Sequence, residues 1–137
     1  MRPLRVVVDC NVFISLLIGG SMKTLKEQLF SSKVQLILCD SLLKEVLDVG
    51  ARSHLRRYFD EFRLHEFVEL LKEVGDVLED PVIVPKVSRD PDDDYLLALA
   101  KAAKADVLLT GDADLLVLGK HGRTRILNAR AFVKEYL

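Results

Sequence analysis

Four carboxylates crowd into the stretch RDPDDDYLLALA, just before an apolar, alanine-rich run: Asp90, Asp92, Asp93 and Asp94. Like charges this close repel, so something must offset them or spread them apart. Part of the crowding fits a helix start, with Asp90 as the N-cap, Pro91 in the first helical position and acids favoured by the helix dipole. The rest of the cluster fits one wall of a cation site.

The predicted helix after Pro91 presents its acids on different sides. At 100° per residue its buried stripe contains Leu96, Leu99, Ala100 and Ala103. Asp92 falls within that stripe and Asp93 on its flank, whereas Asp94 falls on the far side near Lys101, which predicts that Asp94 is exposed to solvent. An inward carboxylate, Asp92 or Asp93, needs a partner, and no cation in this segment is placed to supply one.

Acids with a similar setting occur at three other places. Asp9 ends the apolar run LRVVVD, with Asn11 two residues later, and Asp112 and Asp114 follow the run DVLLT. Glu45 lies on a predicted helix that also follows a strand. Each has a structural alternative, because Asp9 or Asp114 can cap a helix and Glu45 can be an exposed helix residue.

Taken together, the positions of these acids predict a metal-binding site. Acids after one strand, on the helix after the next, and on either side of a later strand can converge at one edge of a parallel sheet, where ligand sites gather. Oxygen ligands without histidine or cysteine suit a hard cation such as Mg²⁺ or Mn²⁺. The three histidines lie in other segments, which disfavours zinc.

Strands and helices alternate along the chain. Strands are predicted at 4–9, 34–40, 82–84, 106–110 and 124–128; helices are predicted after residue 11, at 22–30, from the cap Ser41, over 52–74, from Pro91, from Asp114 and over 129–137. Such alternation indicates a parallel sheet covered on both faces. We therefore predict an α/β fold, a three-layer α/β/α sandwich with a mainly parallel central sheet, in a single domain of 137 residues.

Composition sets broad limits on location and partners. Half of the residues are apolar and the net charge is −1, which is typical of a soluble globular protein. No uncharged run is long enough to span a bilayer and no secretion signal opens the chain, which predicts a cytoplasmic protein without a membrane partner. Cys10 and Cys39 are predicted to be buried thiols rather than a disulfide.

Four segments, in order from one end of the chain to the other, carry a family resemblance: VVVDCNVFISLLIGG, LILCDSLLKEVLDV, RDPDDDYLLALAKAAKADVLLTGDADLL and ILNARAFVKEYL. Together they resemble PIN domains, the fold of many metal-dependent ribonucleases and of VapC-like toxins in prokaryotic toxin–antitoxin pairs. The likeness is greatest to the prokaryotic PIN group that reads roughly D-T-N-V near its start.

The resemblance implies catalytic and metal-binding roles for four acids: Asp9, Glu45, Asp93 and Asp112. Asp114 matches an acid often found beside them and is assigned to the metal as well. Asn11 and Thr110 match polar residues that usually line the site. The sequence departs from the family at Cys10, where threonine or serine is common, so a hydroxyl that could hydrogen-bond beside the ligands is lost.

The function implied by the resemblance is an endoribonuclease that uses one or two Mg²⁺ or Mn²⁺ ions to hydrolyse phosphodiester bonds in single-stranded or structured RNA. Homodimers and an antitoxin partner are also expected. Neutralising the five site acids takes the net charge from −1 to about +4, which suits RNA. The candidate RNA contacts are Arg52, Arg56, Arg57 and Lys23.

Two other function classes remain open. A haloacid-dehalogenase-like phosphohydrolase also places acids at strand ends, but it needs a second aspartate two residues after its nucleophile, where this chain has Asn11. A non-catalytic PIN-like module that binds RNA or protein would be marked by loss of site acids, and the four main ones are all present.

Overall fold

A computed structural model describes residues 2–82, 84, 86 and 91–136, with residues 91 and 92 described by their backbone. Within these ranges there are seven α-helices and six strands. In chain order they are β1 (Leu4–Val8), α1 (Cys10–Ile18), α2 (Lys23–Leu29), β2 (Val34–Cys39), α3 (Asp40–Gly50), α4 (Glu61–Val74), β3 (Asp76–Leu78), α5 (Pro91–Ala102), β4 (Val107–Leu109), α6 (Ala113–Leu116), β5 (Lys120–His121), β6 (Thr124–Leu127) and α7 (Ala129–Tyr136).

The six strands form one sheet in the order β3-β2-β1-β4-β6-β5. Every neighbouring pair is parallel except β5 and β6. The chain builds outward from β1 through β2 to β3, then crosses back to place β4 on the other side of β1. The strand order therefore reverses between β1 and β4, the position where open α/β sheets usually bind ligands. The predicted three-layer fold with a mainly parallel sheet is confirmed.

The centre of the sheet is buried on both faces. Residues 6–8 of β1 and all of β4 have no exposed surface, as expected for β-branched and leucine-rich strands covered by helices. Helix α5 packs on β1 and β4, while α1 contacts α3 and α3 contacts α4. Helix α1 ends where Gly19 adopts a φ of 91°, a conformation that favours glycine.

The predicted helix over 52–74 is in fact divided. Ser53–Arg57 forms a 3₁₀ turn, and α4 begins only after Asp60, whose carboxylate accepts the Arg63 N–H at 2.8 Å as an N-cap. The sequence pattern does not reveal the break, because Leu55 in the 3₁₀ turn and Phe59 in the break itself are both buried and are four positions apart, as in a helix.

The strand predicted at 82–84 is not borne out where the chain is described. Val82 and Val84 lie outside any strand, and Ile83 falls outside the described residues. The third strand is instead β3, which follows Gly75. A Cβ atom at position 75 would lie 2.5 Å from the Leu38 side chain, so glycine allows the chain to enter the sheet close to β2.

Two predicted helix caps are corrected. Helix α3 begins one residue before Ser41, whose hydroxyl donates to Asp80 at 2.5 Å and whose N–H donates to the other carboxylate oxygen at 3.0 Å. Asp112, rather than Asp114, caps α6 and accepts the Asp114 N–H at 2.8 Å. The predicted cap Asp90 lies outside the described residues.

Two predictions from composition can be compared with the structure. No helix in the described ranges combines the length and apolar character needed to cross a membrane. Cys10 and Cys39 are both buried free thiols, as predicted.

Candidate functional site

The reversal point between β1 and β4 places Asp9 beside the loop that follows β4. Asp9 leaves β1 and precedes α1; its N–H donates to the Leu109 carbonyl at 2.9 Å, and only 7% of the residue is exposed. The Thr110 hydroxyl, which is fully buried, donates to the Asp9 carboxylate at 2.8 Å. Adjacent parallel strands thus bring Asp9 and Thr110, 101 positions apart, into contact.

The same hydroxyl connects Asp9 to Asp112. Thr110 Oγ1 accepts the Asp112 N–H at 3.0 Å, so one threonine holds both the Asp9 carboxylate and the backbone from which the Asp112 side chain projects. Asp112 is partly exposed, and its own carboxylate accepts the Asp114 N–H at 2.8 Å. Asp9, Asp112 and Asp114 therefore belong to one connected group at the carboxyl edge of the sheet.

The charge of Asp9 is poorly compensated. Burial raises the pKa of Asp9 above its ordinary value, the Thr110 hydrogen bond opposes that rise, and the negative charge of Asp112 adds to it. Among the described residues, no lysine or arginine forms a salt bridge with Asp9, Asp112 or Glu45. Within the described ranges, these three acids are therefore not ion-pair partners of the protein's lysines and arginines.

Glu45 reaches the same region from helix α3. Its carboxylate accepts a hydrogen bond of 2.5 Å from the hydroxyl of Tyr95 on α5, a residue that the sequence pattern did not single out. Cys10 is near enough to feel both charges: burial raises the pKa of this thiol to about 12, with the charges of Glu45 and Asp9 adding to the rise and Arg52 opposing it. Cys10 therefore stays protonated and neutral beside the acids.

Helix α5 brings Asp93 and Asp94 close to Tyr95 along the chain. Asp93 is half-buried, and its Oδ2 atom is inaccessible to solvent. Asp94 is only 3% exposed, so the prediction that it faces solvent is wrong. The buried side of α5 is wider than the predicted stripe, because Leu97, one turn after Asp94, is also buried. The side chain of Asp92 falls outside the described part of the chain.

The donor types suit a hard cation, although the acids are not gathered as tightly as ligands around one ion. Every candidate ligand is a carboxylate oxygen, the preference of Mg²⁺ and Mn²⁺. In the ranges that the structure describes, no three histidine, cysteine, aspartate or glutamate side chains are close enough together to hold a metal ion. A shared ion would draw the carboxylates toward one another against their mutual repulsion.

The four residues predicted to contact RNA differ in how far their side chains are exposed to solvent. Arg56 is half-buried; it donates to the Gly50 carbonyl and its guanidinium lies 5.3 Å from the centre of the buried Phe59 ring, so it packs within the fold. Lys23 and Arg57 are exposed, and Arg57 lies 5.3 Å from the Tyr58 ring centre.

Two further polar residues lie at the rim of the acidic group. Arg52 is exposed just after α3 and is close enough to Cys10 to lower its pKa. Asn11 is exposed in the first turn of α1, two positions after Asp9. Both side chains are therefore open to a ligand that approaches the acids.

Comparison with known proteins identifies the family of this chain. The family model described as PIN domain matches residues 5–114. A Methanocaldococcus jannaschii protein named Uncharacterized protein MJ1680 is 33% identical over 118 residues, covering 84% of this chain and 75% of that protein.

Solved structures agree on the fold at low identity. The crystal structure of PAE2754 from Pyrobaculum aerophilum has a TM-score of 0.63 and 16% identity, with 96% of this chain and 88% of that one covered. The structure of VapBC2 from Rickettsia felis, bound to a DNA fragment from their promoter, has a TM-score of 0.58 and 9% identity, with 91% and 98% covered. The chain belongs to the PIN-domain family.

Proposed function

We propose that this chain is an endoribonuclease that uses Mg²⁺ or Mn²⁺ to hydrolyse phosphodiester bonds in RNA. Family membership supports nuclease activity in general, since PIN domains are generally divalent-metal-dependent nucleases. The residues proposed to hold one or two ions are Asp9, Glu45, Asp93, Asp112 and Asp114.

One observation carries the proposal. Asp9 is buried at the reversal point of the sheet, its pKa is raised partly by the charge of Asp112, and among the described residues it forms no salt bridge. A buried carboxylate that has no counter-charge in the described part of the chain is well suited to bind a cation from solution.

The chain's own residues have distinct tasks in this proposal. A bound divalent ion supplies charge stabilisation at the scissile phosphate and lowers the pKa of an attacking water. Thr110 fixes the orientation of the Asp9 carboxylate through its 2.8 Å hydrogen bond. Glu45 or Asp93 accepts a hydrogen bond from the attacking water and so orients it toward phosphorus.

The acids also control access by RNA. Without a cation, Asp9, Glu45 and Asp112 repel a phosphate backbone, so the site is inactive until it is loaded. The exposed guanidinium of Arg52 lies at the rim of this group, where it can contact a neighbouring phosphate. Metal loading and RNA binding are therefore coupled.

A cleavage assay on single-stranded RNA with Mg²⁺ or Mn²⁺ tests the proposal. We expect Asp9→Asn and Asp93→Asn to lose nearly all turnover while keeping the wild-type circular dichroism spectrum. Asp48→Asn is the matched control, since Asp48 is an exposed acid on the helix that carries Glu45. Equal turnover in wild type, Asp9→Asn and Asp93→Asn would contradict the catalytic assignment.

Assays on the same purified protein distinguish the proposed function from the two other function classes. Hydrolysis of a small phosphomonoester with no cleavage of RNA would favour a phosphohydrolase of the haloacid-dehalogenase type. RNA binding without cleavage in the presence of Mn²⁺ would favour a non-catalytic PIN module.

Two protein partners are part of the proposal. The structural likeness to VapBC2 supports an antitoxin protein as one partner. A second copy of the chain is the other, and α4 offers it the exposed apolar side chains of Phe62 (74% exposed) and Leu70 (39%). Light scattering on the purified chain tests the homodimer, and a monomer at tens of micromolar protein would contradict it.

A further inference from the structure

We propose that Tyr95 is a positioning residue that holds the Glu45 carboxylate in place for divalent-cation binding. This inference rests on the proposed function, because it assigns Tyr95 a task at the same site. The hydrogen bond joins α5 to α3 across 50 positions of sequence, and no residue of the family's acidic set supplies it.

The contact is short and comes from a well-held side chain. The distance between Tyr95 Oη and Glu45 Oε1 is 2.5 Å, at the short end for a hydroxyl that donates to a carboxylate. The Tyr95 ring is partly buried and packs against the hydrophobic core, which restricts the position of its hydroxyl. Glu45 is half-buried on the middle turns of α3.

Glu45 needs such a restraint. A glutamate side chain has several rotatable bonds and loses conformational freedom when it is fixed as a ligand. The negative charge of Asp9, which acts on Cys10 together with that of Glu45, also favours displacement of Glu45 toward solvent. A fixed hydroxyl donor opposes both effects, and it engages Oε1 while Oε2 receives no hydrogen bond from the described residues.

A tyrosine positions the carboxylate without neutralising it. An arginine or lysine in the same place would form an ion pair with Glu45 and compete with the cation for its charge. The neutral tyrosine hydroxyl instead donates a single hydrogen bond to the carboxylate. Tyr95 therefore holds Glu45 without placing a competing positive charge beside it.

Mn²⁺ titration calorimetry on the full chain tests this role with four proteins: wild type, Tyr95→Phe, Glu45→Gln and the double variant. Phenylalanine keeps the ring and removes only the hydroxyl. We expect Tyr95→Phe to weaken Mn²⁺ binding about 10- to 100-fold, the usual effect of removing a partner of a metal ligand. In the Glu45→Gln background the same change should alter affinity less than about twofold, because no charged ligand remains to be positioned.

Tyr136→Phe is the matched control, since the Tyr136 hydroxyl accepts a hydrogen bond from Arg125 on a different part of the molecule. It should bind Mn²⁺ as wild type does. Thermal denaturation of each variant reports folding separately, and an effect through packing alone would appear equally in both Glu45 backgrounds.

Three results would overturn the inference. Unchanged Mn²⁺ affinity in Tyr95→Phe shows that the hydroxyl does not position the ligand, while the proposed function stands. An equal loss with and without Glu45 shows that Tyr95 acts through packing. Absence of Mn²⁺ binding by wild type removes the proposed function and this inference together.

Discussion

Opposite ends of the neighbouring strands β1 and β4 hold carboxylates in opposite electrostatic settings. At the amino end, Asp106 accepts hydrogen bonds from the Arg2 guanidinium at 2.9 and 3.1 Å, from the Arg5 backbone N–H at 2.9 Å and from Arg123 at 3.2 Å. At the carboxyl end, Asp9 accepts from the neutral Thr110 hydroxyl and, in the part of the chain that is described, forms no salt bridge.

The two settings move the pKa in opposite directions. Burial alone would raise the pKa of Asp106, but hydrogen bonds from Arg2 and Arg5 and the nearby positive charge hold it below its ordinary value. Burial and the charge of Asp112 raise the pKa of Asp9. The fold thus surrounds Asp106 with cations, whereas the described residues place none in a salt bridge with Asp9 at the reversal point. Such a contrast is expected of a functional site and supports the proposal that Asp9 binds a cation.

The largest expected difference between the two ends is in RNA cleavage. Asp112→Asn should lower turnover about a hundredfold or more, since a metal ligand contributes several kcal/mol of charge stabilisation in the transition state. Asp106→Asn should stay within about twofold of wild type at a temperature where both variants are folded. Turnover with Mn²⁺ on one RNA substrate measures both, and similar losses at the two ends would remove the functional distinction.

Stability should respond with opposite signs. Asp106→Ala should lower the free energy of unfolding by about 1–3 kcal/mol, because the Arg5 N–H and two guanidinium groups lose their acceptor. Asp9→Asn should raise the melting temperature of metal-free protein by a few degrees, because it removes a buried, uncompensated charge. Urea and thermal denaturation in EDTA measure the stability of both variants. Destabilisation by Asp9→Asn would contradict the claim that the Asp9 charge is unfavourable in the metal-free protein.

The pH dependence of these effects should differ too. The folded-state pKa of Asp9 is raised, so its charge costs stability above that pKa, and the cost disappears as the pH falls through it. The advantage of Asp9→Asn in EDTA should therefore shrink as the pH is lowered from about 7 toward the ordinary aspartate pKa of roughly 4. The folded-state pKa of Asp106 is lowered, so its contribution should persist to lower pH and be lost only in stronger acid. A pH-independent advantage for Asp9→Asn would rule out this origin.

The sequence predicted the strand ends well and the contacts between distant elements poorly. Continuous apolar runs placed Asp9 and Asp112 directly after buried strands, and parallel pairing then required them to lie at one edge. The resemblance, rather than periodicity, selected Asp93 from its cluster. Hydrophobic periodicity cannot show which residue of one helix touches another helix, so the contact between Tyr95 and Glu45 went unpredicted.

The wrong predictions have local causes. Helical periodicity assigns Asp94 to solvent because it allows for a single buried stripe, whereas α5 also buries Leu97. Strand β3 has only three residues and a half-exposed Val77, too little pattern to identify it from sequence. The partners of Asp106 lie up to 104 positions away, so its role as a structural acid became visible only in the folded chain.

The smallest expected effect is on RNA binding by Arg52, which lies near the acids at the carboxyl edge of the sheet. Arg52→Ala should weaken binding of single-stranded RNA and reduce the slope of log affinity against log salt by about 0.7, the value for one phosphate contact. Lys72→Ala is the control, because Lys72 is paired with Glu69 on α4 at 3.2 Å. Binding of fluorescent RNA to the inactive Asp93→Asn background, in Mg²⁺ over a range of salt, measures the slope. An unchanged slope for Arg52→Ala would exclude the phosphate contact.

The central claim is that the carboxyl edge is a cation site centred on Asp9, which forms no salt bridge within the described part of the chain. Thermal denaturation with and without Mn²⁺ tests it most directly in three proteins: wild type, Asp9→Asn and Asp106→Asn. At about a hundred times its dissociation constant the ion should stabilise wild type and Asp106→Asn by about 2.7 kcal/mol, a rise of several degrees, and leave Asp9→Asn unchanged. An equal rise in Asp9→Asn, or none in wild type, would contradict the claim.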